Sequence, residues 1–265
     1  MNLPDAGKIV LGTISRHPRR ARFARLAASL LAALGLWEGL VLLAHLPPFI
    51  LPSPEDVAVR GWQALQSGVL LRNTWVTLQE ILAGMALGVL TATALGYLLA
   101  KSPFLERLLA PYIVASQSVP VVAIAPLLII WFGPGLLAKV LICALIVFFP
   151  VLVNTVVGVR SVPQELYDLL RSLDATPWQV VRYLEIPAAL PVFFGGLRIG
   201  VTLSVIGAVV GEFVAADRGL GFLINLARGR YDTALVFVAV FTLVGLALIF
   251  YGAVVALERR LLKWL

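Results

Sequence analysis

Apolar residues run in six long blocks along this chain, at about 26–46, 75–100, 108–132, 137–159, 188–212 and 234–257, with short polar intervals between them. Each block reaches the roughly 20 residues that a helix needs to cross a bilayer. Backbone polar groups in hydrocarbon must be satisfied internally, so the pattern predicts an all-α integral membrane protein with six transmembrane helices. Pro47, Pro48, Pro52 and Pro54 end the first block. The segment 49–73 then reads as a connector on one face, with a surface helix after Ser53. The third block holds Pro111, Pro120 and Pro126 and is expected to be kinked or broken. Gly133, Pro134 and Gly135 make the next turn, and a second connector at 213–233 holds a short helix near 222–227.

The longest polar interval runs from Ser161 to Pro191. Ser161 with Gln164, and Thr176 with Gln179, have the spacing of capping boxes, and Pro177 holds a favoured first helical position. Two short helices with a turn around Asp174 are therefore predicted. On the first, Leu166, Leu169, Leu170 and Leu173 form one stripe, opposite Glu165, Asp168 and Arg171. The stripe needs a cover, supplied either by a separate protein or by the chain's own bundle.

A hydrophobic content of 60% and a mean hydropathy of +0.97 exclude a soluble domain. The single cysteine, Cys143, excludes an internal disulfide framework and reads as a small hydrophobe in a span. The net charge of +7 reads as membrane topology rather than nucleic-acid binding. With six spans, 14 Lys and Arg fall on the side of the termini and five in the connectors on the other, which places both termini in the cytoplasm. Residues 1–25 form a basic cytoplasmic tail, and residues 26–265 form a single transmembrane domain. His17 and His45 lie apart, with no metal-ligand spacing and no nucleophile–base pairing nearby. No catalytic or metal site is predicted. The chain also lacks a G-x-x-x-x-G-K-[ST] loop, so it has no ATP site of its own.

Polar groups inside spans are costly and become the candidates for a solute path. Ser116, Gln117 and Ser118 precede Pro120, where a helix break frees backbone groups. Asn154 reads as a contact to solute or as a hydrogen bond between helices. Glu38 is expected to pair within the bundle and Glu80 to snorkel to the membrane edge. In the fifth span Gly196 with Gly200, and Gly207 with Gly211, allow close backbone approach, read here as a homodimer axis with packing inside one subunit as the alternative. Arg198 and Glu212 lie ~21 Å apart on that helix, read as gate or contact groups or as interfacial anchors.

Counted back from Pro187, the polar interval resembles the EAA loop of ABC importer membrane subunits, which reads E-A-A, three residues, Gly, nine residues, I-x-L-P. Asp168, Leu169 and Leu170 stand at the opening positions, Asp174 at the glycine, and Leu184, Ile186 and Pro187 at the close. Both alanines and the glycine are replaced. Three further stretches, Ser116–Gly135, Phe148–Val162 and Leu190–Ile224, are similar to permeases of the nitrate, taurine, alkanesulfonate and vitamin-precursor importers. The SQS opening, VIGAVVGEFV and RGLGFLI stand nearest to riboflavin and thiamine-pyrimidine permeases.

The resemblance implies the MetI-like permease fold in a bacterial inner membrane. It also implies a homodimer, a cytoplasmic ATPase dimer that holds ATP and Mg, and an extracytoplasmic substrate-binding protein. Lipid surrounds the spans and no nucleic acid takes part. Glu165, Leu166, Asp168, Leu169, Leu170, Leu173, Asp174, Ala175, Leu184, Ile186 and Pro187 would form the ATPase-coupling loop. Riboflavin or a thiamine-type pyrimidine would be the solute, with alkanesulfonate, taurine or nitrate as the alternative. An ion-coupled secondary transporter and a channel are the other classes open to a chain of this hydropathy.

Overall fold

The computed structural model describes residues 18–45 and 47–263. All regular elements among them are helical. Most of the tail expected at 1–25 lies outside the described residues; helix α1 (Pro18–Ala44) already begins within the rest of it. Ser53 caps α2 (Pro54–Gln66) through a capping box with Asp56, which starts the connector helix where its sequence predicts. Next come α3 (Val69–Lys101), α4 (Pro103–Gln117), α5 (Val121–Phe132) and α6 (Leu136–Arg160). The polar interval holds α7 (Gln164–Ser172) and α8 (Pro177–Val180). A π turn at Val181–Glu185 joins α8 to α9 (Ile186–Ala215). Helices α10 (Leu220–Gly229) and α11 (Thr233–Leu261) complete the chain.

Four helical stretches among the described residues are long and apolar enough to cross a membrane: α3, α6, the continuous run Pro177–Ala215, and α11. Helices α4 and α5 form a fifth unit bent by 96° at Pro120. Pro120 supplies no N–H to continue α4, and its extended backbone restarts the helix in a new direction. In α1 the apolar part, Ala28–Ala44, is shorter than a standard span. Among the described residues four to five units therefore have the length and apolarity of a span, and the sixth expected span falls on α1 with its shorter apolar part. Trp37 of α1 nevertheless packs on Phe237 and Phe241 of α11, and its indole N–H donates to the Pro52 carbonyl at 3.1 Å.

Helix α6 is the centre of the bundle, enclosed by α3 on one side and α9 on the other. Glycines make this possible. A Cβ at Gly88 of α3 would sit 2.7 Å from the Ala144 carbonyl oxygen, and one at Gly196 of α9 would sit 2.6 Å from the Asn154 Cβ. Gly200, Gly207 and Gly211 also face α6, against Val147, Cys143 and Lys139. The paired glycines of α9 thus serve packing inside one subunit. This corrects the homodimer-axis assignment; the spacing reveals close approach but not which helix approaches.

Candidate coupling site and polar groups of the spans

Helix α7 begins after Pro163 without a side-chain cap, because the Ser161 hydroxyl is turned back to the Gly158 carbonyl at 2.8 Å as α6 ends. The first expected capping box does not form. The second does: Thr176 accepts from the Gln179 amide, and the Gln179 side chain accepts from the Thr176 amide at 2.7 Å. Between them, Asp174 adopts a left-handed φ of 53°. Its N–H donates to the Arg171 carbonyl and that of Ala175 to the Leu170 carbonyl, both at 3.0 Å. This is a Schellman ending, with aspartate at the position where glycine is favoured. Helix α8 does not stand alone; it runs through the π turn into α9, so the fifth span starts well before residue 188.

The leucine stripe divides. Leu166, Leu169 and Leu173 are exposed, while Leu170 and Tyr167 turn partly toward the bundle. Trp178 and Tyr183 continue the uncovered apolar surface beyond the turn, and Ile186 is exposed as well. Glu165 and Asp168 lie on the exposed polar side, where Asp168 approaches Arg171 at 3.5 Å. Leu184 and Pro187 are half-buried at the root of α9.

Polar side chains gather at both ends of the bundle. At the α7 end, the Lys101 ammonium bonds the buried Glu185 carboxylate, to which the Tyr97 hydroxyl also donates at 2.9 Å. Arg160 holds Glu106 with two nitrogens, one of them at 2.7 Å, and reaches the Leu99 carbonyl. Arg198 is paired across helices; its Nε donates to Glu258 of α11 at 2.8 Å. Burial, and next the neighbouring Glu185 carboxylate, push the Tyr167 phenol up to about 12.

At the opposite end, Glu212 accepts from the Thr77 hydroxyl at 2.6 Å and from the Gly221 N–H. Asn73 accepts from the Gly219 N–H and Thr77 from the Leu220 N–H, both at 2.8 Å. These side chains satisfy the opening N–H groups of α10 and so dock the second connector onto α3. Lys139 lies 3.0 Å from Glu80 in the same buried group. Glu80 is wholly buried and does not snorkel. Glu212 accordingly belongs to an internal clasp. Lys139 and Glu258 were missed in the sequence reading; a charge inside an apolar run was the available signal for Lys139, whereas Glu258 stands just past the end of its run, beside Arg259 and Arg260.

The break between α4 and α5 leaves Ser116, Gln117 and Ser118 exposed, with the serine hydroxyls donating to carbonyls of their own helix. Asn154 donates to the Pro150 carbonyl at 2.8 Å and packs against Gly196. The structure does not bring these four together with Arg198 and Glu212 in one cluster. Glu38 is half-buried on α1.

The model of the family described as "Binding-protein-dependent transport system inner membrane component" matches residues 61–263. The chain belongs to this family. The permease is 52% identical over 239 residues to the riboflavin transport system permease RibX of Chloroflexus aurantiacus, covering 90% of this chain and 89% of that one. It is 36% identical to the formylaminopyrimidine transport permease ThiX of Halalkalibacterium halodurans, covering 82% and 86% of the two chains. With the taurine transport system permease TauC of Escherichia coli it shares 32% identity, over 89% and 88% of the chains. A chain of the inward-facing MetNI methionine ABC transporter superposes with a TM-score of 0.65 at 21% identity, covering 74% of this permease and 97% of that chain. The fold is therefore the MetI type. Family membership makes the chain a multi-pass permease subunit of an ABC importer, a class that works with a separate ATPase and a binding protein.

Proposed function

We propose that the permease imports riboflavin, or a thiamine-type pyrimidine precursor, by alternating access between two identical copies. The observation that carries the coupling part is the uncovered apolar face of α7, where Leu166, Leu169 and Leu173 stand exposed beside Trp178. An amphipathic helix with its apolar face unburied suits the groove of a partner protein. A cytoplasmic ATPase dimer would receive the two α7 helices, carry ATP and Mg, and drive the bundles between two arrangements. Both termini would then lie in the cytoplasm. An external binding protein would deliver the solute to the opposite face, formed by α2, α10 and their connectors. The riboflavin assignment is supported by the 52% identity to RibX and by the weaker likeness to ThiX.

The test is purification in mild detergent followed by reconstitution into vesicles with the co-purifying ATPase and binding protein. ATP-dependent uptake of riboflavin or formylaminopyrimidine is the expected result. ATP-dependent uptake of taurine alone would overturn the solute. Uptake that persists without ATP on an ion gradient would overturn the importer mechanism itself.

A further inference from the structure

The coupling segment joins the bundle through a stretch whose backbone ladder is interrupted. Residues Val181–Glu185 form a π turn, in which the Ile186 N–H reaches back to the Val181 carbonyl. Pro187 and Pro191 follow at once, and neither can donate to the turn before it. Proline rings also crowd the carbonyl four residues back, so widening the helix here relieves a clash. The run Pro177–Pro191 therefore bends more readily than a continuous α-helix. An apolar groove of about 470 Å³ lies beside it, walled in part by Thr93, Thr155, Leu190 and Phe193.

Across this soft stretch there is one buried polar fastening among the described residues. Glu185, the last residue of the π turn, has a side chain 1% exposed. It accepts from Tyr97 and pairs with Lys101, both on α3. The Lys101 ammonium in turn stands 5.3 Å from the ring of Tyr167, which with Leu170 turns toward the bundle from α7. Glu185, Lys101, Tyr97 and Tyr167 thus tie the α9 root, the end of α3 and the coupling helix to one another. Lys101 supplies the charge that lets the Glu185 carboxylate be buried, and the cation–aromatic contact joins α7 to that pair.

We propose that Glu185 is a positioning residue for energy coupling: through Lys101 and Tyr97 it makes the soft α8–α9 junction move with α3, so that displacement of α7 is passed to both spans. This rests on the reading of α7 as the ATPase-docking helix. Without the fastening, α7 would shift by bending the junction while the spans stayed in place, and ATP would be hydrolysed without transport.

The experiment uses the complete importer in vesicles, measuring solute taken up per ATP hydrolysed. Glu185→Gln and Lys101→Met are each expected to retain the ATPase subunit and to lower that ratio roughly tenfold. The exchange Glu185→Lys with Lys101→Glu is expected to recover part of the loss, which a nonspecific packing defect would not do. Where a variant fails to accumulate, Tyr97→Phe removes one hydroxyl only, and a two- to threefold lower ratio is expected. A wild-type ratio in Glu185→Gln, or in Tyr97→Phe when the former does not fold, overturns the inference and leaves ATPase docking on α7 intact. Failure of the unaltered permease to hold any ATPase overturns both.

Discussion

At the α10 end of the bundle, Glu80, Lys139 and Glu212 are almost completely shielded from solvent and are joined by Thr77, Asn73 and backbone N–H groups of α10. At the α7 end, Lys101, Arg160 and Arg198 are each more than one-third exposed, and their acids lie on other helices. A dry cluster has steep costs for any rearrangement, since a separated charge would stay unpaired in low dielectric. The Arg160–Glu106 and Arg198–Glu258 pairs can exchange with water and re-form, so they permit motion, while Glu185, 1% exposed, keeps its pair with Lys101 as a tie. One end is built to hold its connector fixed. The other surrounds the interrupted helix between α8 and α9.

The largest expected effect comes from breaking the dry end. Lys139→Met removes the buried cation that pairs with Glu80 and should destabilise the fold by about 3–5 kcal/mol, seen as a lower unfolding temperature in detergent. Next is the packing that both ends depend on. Gly196→Leu forces side-chain atoms against Asn154 and the Pro150 carbonyl, for a cost of about 1–3 kcal/mol by the same measurement.

A change on the exposed side of α7 should separate folding from coupling. Leu169→Asp is expected to leave the unfolding temperature unchanged and to weaken ATPase binding by about 1.5–3 kcal/mol in a titration with the purified subunit. The smallest effect belongs to a half-wet pair. Glu106→Gln should lower the unfolding temperature only slightly and lose its effect in high salt, whereas the Lys139→Met defect should persist there.

Local signals were legible wherever neighbours in sequence decide the outcome. The Ser53 cap, the Thr176–Gln179 capping box, the break at Pro120 and the turn at Asp174 all depend on residues within about one helical turn. Ser161 shows where this fails. Its spacing to Gln164 suits a cap, yet its hydroxyl is used by the preceding helix, and Pro163 takes the capping position. A short motif cannot tell which of two adjoining helices owns a side chain.

By itself the amino-acid sequence determined the membrane class, the main apolar helices, the connector helices and the amphipathic character of α7. Only the tertiary structure decided which groups meet. Glu80, Lys139 and Glu212 come from three separate helices, and the Glu185 fastening joins residues 84 and 88 positions apart. It also turned Leu170 inward, left Leu166, Leu169 and Leu173 uncovered, and aimed the α9 glycines at α6. Hydrophobic periodicity marks a helix and its apolar width, but the rotation of that helix about its axis is set by the neighbours it packs against.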